Sequence, residues 1–393
     1  MRLTDEQLKE IMEKYHVDTL WSYSRLDTFR ISPYLFFLKY VKKEQPKKDE
    51  VSPYGIIGGA CHAVLEKFYR QEISYEDMAK EFENEYVVQI ELFGLKFNNT
   101  DKVLNSSIER KYKVDLEHFF KNYKPVHGKH RLEQFVSMEV IPGIAIGGYI
   151  DDVTKEKDGM VHIYDFKTSS RAGFVGKKLV EHSHQLAIYA EAIRQMGIPK
   201  EKITASFVMM KYVDVDIKQK NGTTKTSTIE RCQIGEKLRS KADMWLKTYG
   251  ITEYEGKTAD DLLAEMVSDN TIEGLPKEVR EKFIIYDCYI DVKDIFDIYD
   301  ALKKEIIDIV ADIDNRMHEY KETHDDIVWY DSEESMKKNS YYLTQITEYR
   351  IDQIKPFLSY CEKMESENED LLETKTETIV ESVEDFSWVE GLV

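Results

Sequence analysis

The chain has 393 residues, with 55 Lys and Arg against 74 Asp and Glu, for a formal net charge of −19. Hydrophobic residues at 42% and aromatic residues at 12% exclude a mainly disordered chain, and the length predicts a large core with additions or a second domain. No apolar run nears the roughly 20 residues of a membrane span, and the N-terminal MRLTDEQLKEIMEKYHVDTL has no apolar signal core, so a soluble, cytoplasmic chain without a membrane partner is expected. Acidity normally argues against binding phosphates. Here the stretch from Cys361 to Val393 carries eleven acids against Lys363 and Lys375, so the net charge does not describe the rest of the chain. Cys61, Cys232, Cys288 and Cys361 are far apart without a C-x-x-C pair, which predicts free thiols rather than a zinc knuckle or a redox pair.

Residues 5–15 read as an amphipathic helix, and WSYSRLDTFRISPYLFFLKYVKK (21–43) as apolar on one face with Lys39, Lys42 and Lys43 at its end. Ile57 to Tyr69 has helical period, and 75–123 reads as helical with much charge. After Pro125 the pattern changes to short strands at 135–140, 143–153 and 161–169, with Asp158-Gly159 as the hairpin turn between the last two. A helix over 184–197, a strand over 203–217, an exposed basic loop over 218–228 with Lys218, Lys220 and Lys225, and a returning strand at 229–234 follow. From 236 the pattern is mainly helical, most clearly over 292–320, and from about Glu362 the chain is acidic and rich in Ser and Thr.

The chemistry concentrates in GGYIDDV and VHIYDFKTS. Asp165 and Lys167 are two apart on one strand and project from the same face, with Phe166 turned the other way; Asp151 lies one hairpin away. Two carboxylates and an ammonium on apolar strands are an expensive way to gain stability. A divalent metal accounts for both acids and leaves Lys167 to hold or activate a water. Asp152 points to the other side of its strand and reads as structural.

Four motifs in order, GGACHAVLEKFY with His62, GGYID with Asp151, YDFKTS with Asp165 and Lys167, and QLAIY with Gln185 and Tyr189, resemble the RecB-type branch of the PD-(D/E)XK nuclease superfamily. A fifth, SYSRLDTFRISPYLFFLKY, resembles that branch's opening segment, so the likeness spans 21 to about 217. Beside a helical accessory region over 236–360 and an acidic tail over 361–393, both read from the residue pattern, it implies an α/β fold, a central mixed sheet flanked by helices, as a core over 1–235. It also implies a site in which Asp151, Asp165, the Phe166 carbonyl and His62 hold Mg²⁺ or Mn²⁺, the histidine favouring Mn²⁺. Lys167 then orients the nucleophile, and Gln185 and Tyr189, one helical turn apart, hold Lys167 or touch the DNA backbone. Glu66 and Glu139 are candidates for supporting that site; standing alone, His62 reads first as a surface partner of Glu66, and it becomes a ligand only within the frame of the other motifs. Relatives with an iron–sulfur cluster place a Cys where this chain has Ser32 before Pro33, so no cluster is expected.

Candidate DNA contacts are Arg25, Lys39, Lys42, Lys43, Lys177, Lys178 and Lys211, and some of the 25 tyrosines suit base stacking. No G-x-x-x-x-G-K-[ST] loop is present, which predicts a nuclease standing alone without a helicase in the chain. The implied activity is metal-dependent DNA cleavage, as an exonuclease on single-stranded or duplex ends in recombination, replication or repair, in a bacterial or phage-infected cell. Two other readings stand beside it: a DNA-binding scaffold subunit without turnover, and a nuclease for RNA or flaps. The tail reads as a solubilising extension or, through Phe386, Trp388 and Leu392, as a docking segment for a recombination or single-strand-binding protein.

Overall fold

The computed structural model describes residues 3–45, 53–92, 94–97, 101–332, 346 and 349–367. The proposed docking residues of the tail therefore lie outside the described residues. Two compact units emerge, one of residues 1–50, 137–148 and 299–393, the other of 51–136 and 149–298. Within the second unit, strands from both sides of position 235 pair in one sheet.

In the second unit, three helices form an apolar layer: α4 (Pro53–Tyr69), α5 (Met78–Tyr86) and α6 (Lys102–Asn122). Their buried side chains, among them Val64, Phe82, Leu116 and Phe120, pack with Tyr164, Phe166, Val208 and Met210 of the sheet. The sheet is mixed. The later part of β3 (Ile144–Lys155) pairs antiparallel with β4 (Val161–Lys167), which runs parallel to β5 (Ile203–Lys218). Gly159, at φ 88, takes the left-handed position of the intervening turn, as its sequence predicts. The other half of β5 pairs with β6 (Thr224–Glu230), so the expected basic loop is partly strand, and 231–234 is helical rather than strand.

After a separate two-stranded ribbon of β7 (Glu253–Tyr254) and β8 (Lys257–Thr258), strand β9 (Phe283–Asp291) runs along the second edge of β5. It was not anticipated in the region after 236. Between β5 and β9, α8 (Ile234–Tyr249) and α9 (Ala259–Ser268) cover the outer half of the sheet through Leu238, Leu246, Leu263 and Val215. Gly235 is required there: a Cβ would fall 2.2 Å from the Met266 carbonyl oxygen. Helix α7 (Gly176–Gln195) packs on β4 and β5.

Strand β5 bulges between Val208, which pairs with Tyr289, and Val213, which pairs with Asp287. Lys211 sits in this bulge, 5% exposed and 3.8 Å from the Tyr112 ring centroid. It is therefore an interior cation and not the surface DNA contact that its place in the sequence suggested. Asp115 of α6 lies in the same polar pocket, fully buried, accepting the Cys232 N–H at 2.7 Å. Burial raises its carboxyl to about 7 against the pull of Lys211. A carboxyl raised on folding weakens the folded state as it ionises, from its unfolded value upward to the folded one. Asp115→Asn, which keeps the acceptor, should leave stability unchanged near pH 3 and gain over wild type as pH rises toward 7. Urea midpoints across that range give the test; a gain that shrinks with pH would contradict the burial argument.

The first unit holds α1 (Asp5–Tyr15), closed by a Thr4–Gln7 capping box, and β1 (Leu20–Trp21), parallel to β3 at Ala145–Ile146. Helix α2 (Tyr23–Ile31) and α3 (Pro33–Phe36), continued by a π-helical turn over Phe37–Val41, bring Leu26, Phe29, Leu35, Phe36 and Phe37 into its core. Phe37 stacks on Trp329 at 5.3 Å, and Tyr34 stacks at 4.1 Å on Phe357 of the last described helix, Ile351–Glu367. The remaining long helix, Ile295–Thr323, begins close to the predicted 292. Among the described residues no helix is long and apolar enough to cross a membrane.

Candidate active site

The β3–β4 ladder runs from Lys155–Val161 to Asp152–Tyr164. One step further the two strands are joined by a side chain, the Asp151 carboxylate accepting the Phe166 N–H at 3.0 Å. Asp165 and Lys167 share one face of β4, and their carboxylate and ammonium form an ion pair at 2.7 Å. Asp165 is buried, 8% exposed, while the Lys167 side chain keeps about a third of its surface in solvent.

Helix α4 brings His62 to the same place. Its Nε2–H donates to the Phe166 carbonyl at 3.1 Å, and its Nδ1 lies 3.6 Å from Asp151 Oδ2. Burial, aided by Lys167, lowers the His62 pKa and favours the neutral ring. A neutral ring that donates through Nε2 turns the Nδ1 lone pair toward a carboxylate oxygen, and two facing acceptors need a proton or a cation between them. Glu133 of β2 (Lys129–Ile141) completes the group: ligand atoms of His62, Glu133 and Asp151 lie within 4.8 Å of one another.

Electrostatics agree with that picture. Burial first, then Asp165, push Asp151 well above the ordinary carboxylate range, against Lys167 and the Phe166 N–H. Burial alone would lower Lys167, but Asp165 and then Asp151 more than reverse it, so the ammonium is secured. An Asp151 carboxyl held up in pKa, crowded by Asp165 and set beside a neutral imidazole, is a donor set that a divalent cation relieves. On α7, Gln185 Nε2 donates to Tyr189 Oη at 2.6 Å, and burial, reinforced by the field of Asp151 and Asp165, raises the Tyr189 phenol.

The structure therefore brings together His62, Asp151, Asp165, Phe166, Lys167, Gln185 and Tyr189. The Phe166 carbonyl, expected as a metal ligand, spends one lone pair on orienting His62. Glu66 pairs with Arg70, just past the end of the helix, and His62 turns to the strands instead of to Glu66. Glu139 is not part of the metal-competent group among the described residues; the acid that β2 supplies is Glu133. Glu133 adopts φ 46 in mid-strand, which breaks the alternation of side chains and re-aims its carboxylate. Nothing in a lone Glu of a KHRLEQF stretch signals that backbone twist.

Beside His62, α4 is bare. Gly55 and Gly59 lie one turn apart on the exposed side of the helix, and a Cβ on either would meet nothing within 4 Å. Lys177 and Lys178, in the first turn of α7, are exposed. In the first unit Lys39 and Lys43 are exposed, while Lys42 is taken by Asp326.

A family model described as the PD-(D/E)XK nuclease superfamily matches residues 20–278, more than half of the chain. No curated protein matches it.

Proposed function

The chain belongs to the PD-(D/E)XK nuclease superfamily, and from that premise we propose that it is a metal-dependent deoxyribonuclease of the RecB-type branch, acting as an exonuclease on DNA ends in recombination, replication or repair. The observation that carries this reading is the joint placement of His62, Glu133 and Asp151 as a cation-competent group with the Asp165–Lys167 pair on the adjoining strand. Mg²⁺ or Mn²⁺ suits such oxygen-rich donors, and the imidazole tilts the choice toward Mn²⁺. When bound, the ion supplies Lewis acidity and neutralises charge on the scissile phosphate.

The chain's own groups do the rest. Asp151 and Asp165 set the negative well that draws the cation, and the Phe166 carbonyl fixes the ring of His62. Lys167, kept charged by Asp165, presents an ammonium that orients the attacking water and steadies charge developing on the phosphoryl oxygens. Tyr189, locked by Gln185, presents a neutral phenol beside the carboxylates. The bare flank of α4 at Gly55 and Gly59 leaves room for a backbone strand close to His62. Action in the cytoplasm of a bacterial or phage-infected cell, and recruitment through the acidic tail, belong to the same proposal.

Cleavage of end-labelled single-stranded, duplex and circular DNA, and of RNA, with Mg²⁺, Mn²⁺ or EDTA tests it. Metal-dependent loss of linear but not circular DNA, absent in Asp165→Ala and Lys167→Ala, is the expected result. Cutting of circles would make the enzyme an endonuclease, and preference for RNA would replace the substrate. Firm DNA binding with no cleavage under either metal would leave a scaffold.

A further inference from the structure

We propose that Arg25, with Lys39, forms an anion site in the first unit that takes a phosphodiester group of a nucleic-acid strand; the choice of a nucleic-acid phosphate rests on the nuclease reading above. The Arg25 guanidinium carbon lies 4.7 Å from the Trp21 ring centroid, 5.3 Å from that of Tyr40 and 5.7 Å from that of Phe36. These rings strip its hydration, and its Nε is buried without an acceptor. Burial accordingly lowers its pKa, with no carboxylate to oppose the shift.

A half-dehydrated cation normally finds a counter-ion. Arg25 has none among the described residues, because the acids of this region are engaged elsewhere: Asp27 by Arg30, and Asp326 by Lys42. A second cation makes the imbalance worse. Lys39, exposed and likewise without a carboxylate partner among the described residues, lies 5.4 Å from the same Tyr40 ring. Arg25 also sits in the first turn of α2, which has no acidic residue, where the helix dipole already disfavours a cation.

Three features thus leave positive charge around the Tyr40 ring uncompensated, and each is relieved by a bound anion. Stacking removes the rotameric freedom of Arg25, so little ordering remains to be done when its terminal N–H groups meet a phosphate. A planar donor beside a point charge on one aromatic ring suits a phosphodiester along a strand.

The test uses the full chain in EDTA, so that nothing is cut, with a fluorescein-labelled 20-nucleotide single strand and anisotropy titrations over a range of KCl. Arg25→Gln should weaken binding about tenfold near 0.1 M salt and flatten the salt slope by about one phosphate contact. Arg25→Lys should fall between, and Lys39→Gln should weaken binding about threefold. Wild-type affinity and slope in a folded Arg25→Gln would overturn the proposal. Should that variant not fold, unchanged binding by Lys39→Gln would overturn it equally. Protection by inorganic phosphate that depends on Arg25, without strand binding, would assign the site to free phosphate and reject the strand. Cleavage that persists while Arg25 proves irrelevant sinks this inference alone. Arg25-dependent strand binding without cleavage under any metal sinks only the nuclease reading.

Discussion

Lys167→Ala should lower single-turnover cleavage by about 10²–10³-fold, the loss of one preorganised charged donor at the reacting phosphate. The argument starts from β4, where Lys167 stands 2.7 Å from Asp165 and is held charged by it despite burial. Alanine removes the ammonium and leaves Asp165 and Asp151 without their shared cation. The Asp151 carboxyl, already raised by burial and by Asp165, then loses the one neighbour that draws it down by charge. Calorimetric Mn²⁺ binding at pH 8 should nevertheless hold or tighten, since an ammonium beside the acids repels an incoming ion. Activity and metal affinity are therefore expected to move apart. Lys167→Arg keeps the charge but replaces a compact ammonium with a planar fork, and should recover only part of the rate. A loss of Mn²⁺ affinity as large as the loss of rate would mean that Lys167 serves only to hold the acids in place.

The parts of this site that were legible in the sequence are those governed by local periodicity. Two-residue alternation put Asp165 and Lys167 on one face with Phe166 in the core, and the structure has Phe166 at 3% exposure. The glycine at the hairpin turn and the helical period around His62 worked for the same reason. What escaped depends on backbone departures or on distant pairing. Glu133 reaches the site because of one positive φ in a strand. Lys211 is interior because it falls in the β5 bulge, where alternation no longer predicts direction. β9 reads as a short apolar run ahead of a long helical pattern, and only its pairing with β5, some seventy residues earlier in the chain, makes it part of the core sheet. Through that pairing β5 and β9 hold the segment between them, on both sides of position 235, to one sheet.

Asp287→Ala should destabilise the fold by about 3–5 kcal/mol, the usual result of stranding one partner of a buried ion pair. Arg231 is 1% exposed and Asp287 5%, and their groups meet at 2.5 Å. Asp287 also accepts the Lys124 N–H at 3.0 Å, so alanine orphans a backbone donor as well as a guanidinium. Burial already lowers the Arg231 pKa, and Asp287 is the first charge opposing that shift. Urea unfolding followed by circular dichroism measures the loss. Asp287→Asn, which keeps an acceptor, should lose less, and Arg231→Met with Asp287→Leu should regain most of the stability because no charge is left behind. The effect should also reach catalysis. Arg231 Nε donates to the Met210 carbonyl at 2.8 Å, and the preceding Met209 is paired with Lys167 across β4 and β5. The ion pair thus fixes the bulge directly beside the strand end that presents the ammonium. In urea-free buffer, where Asp287→Ala still folds, the rate should fall further than the small unfolded fraction explains. A variant that loses less than about 1 kcal/mol would show that Arg231 finds other acceptors, and that the bulge holds Lys167 without it.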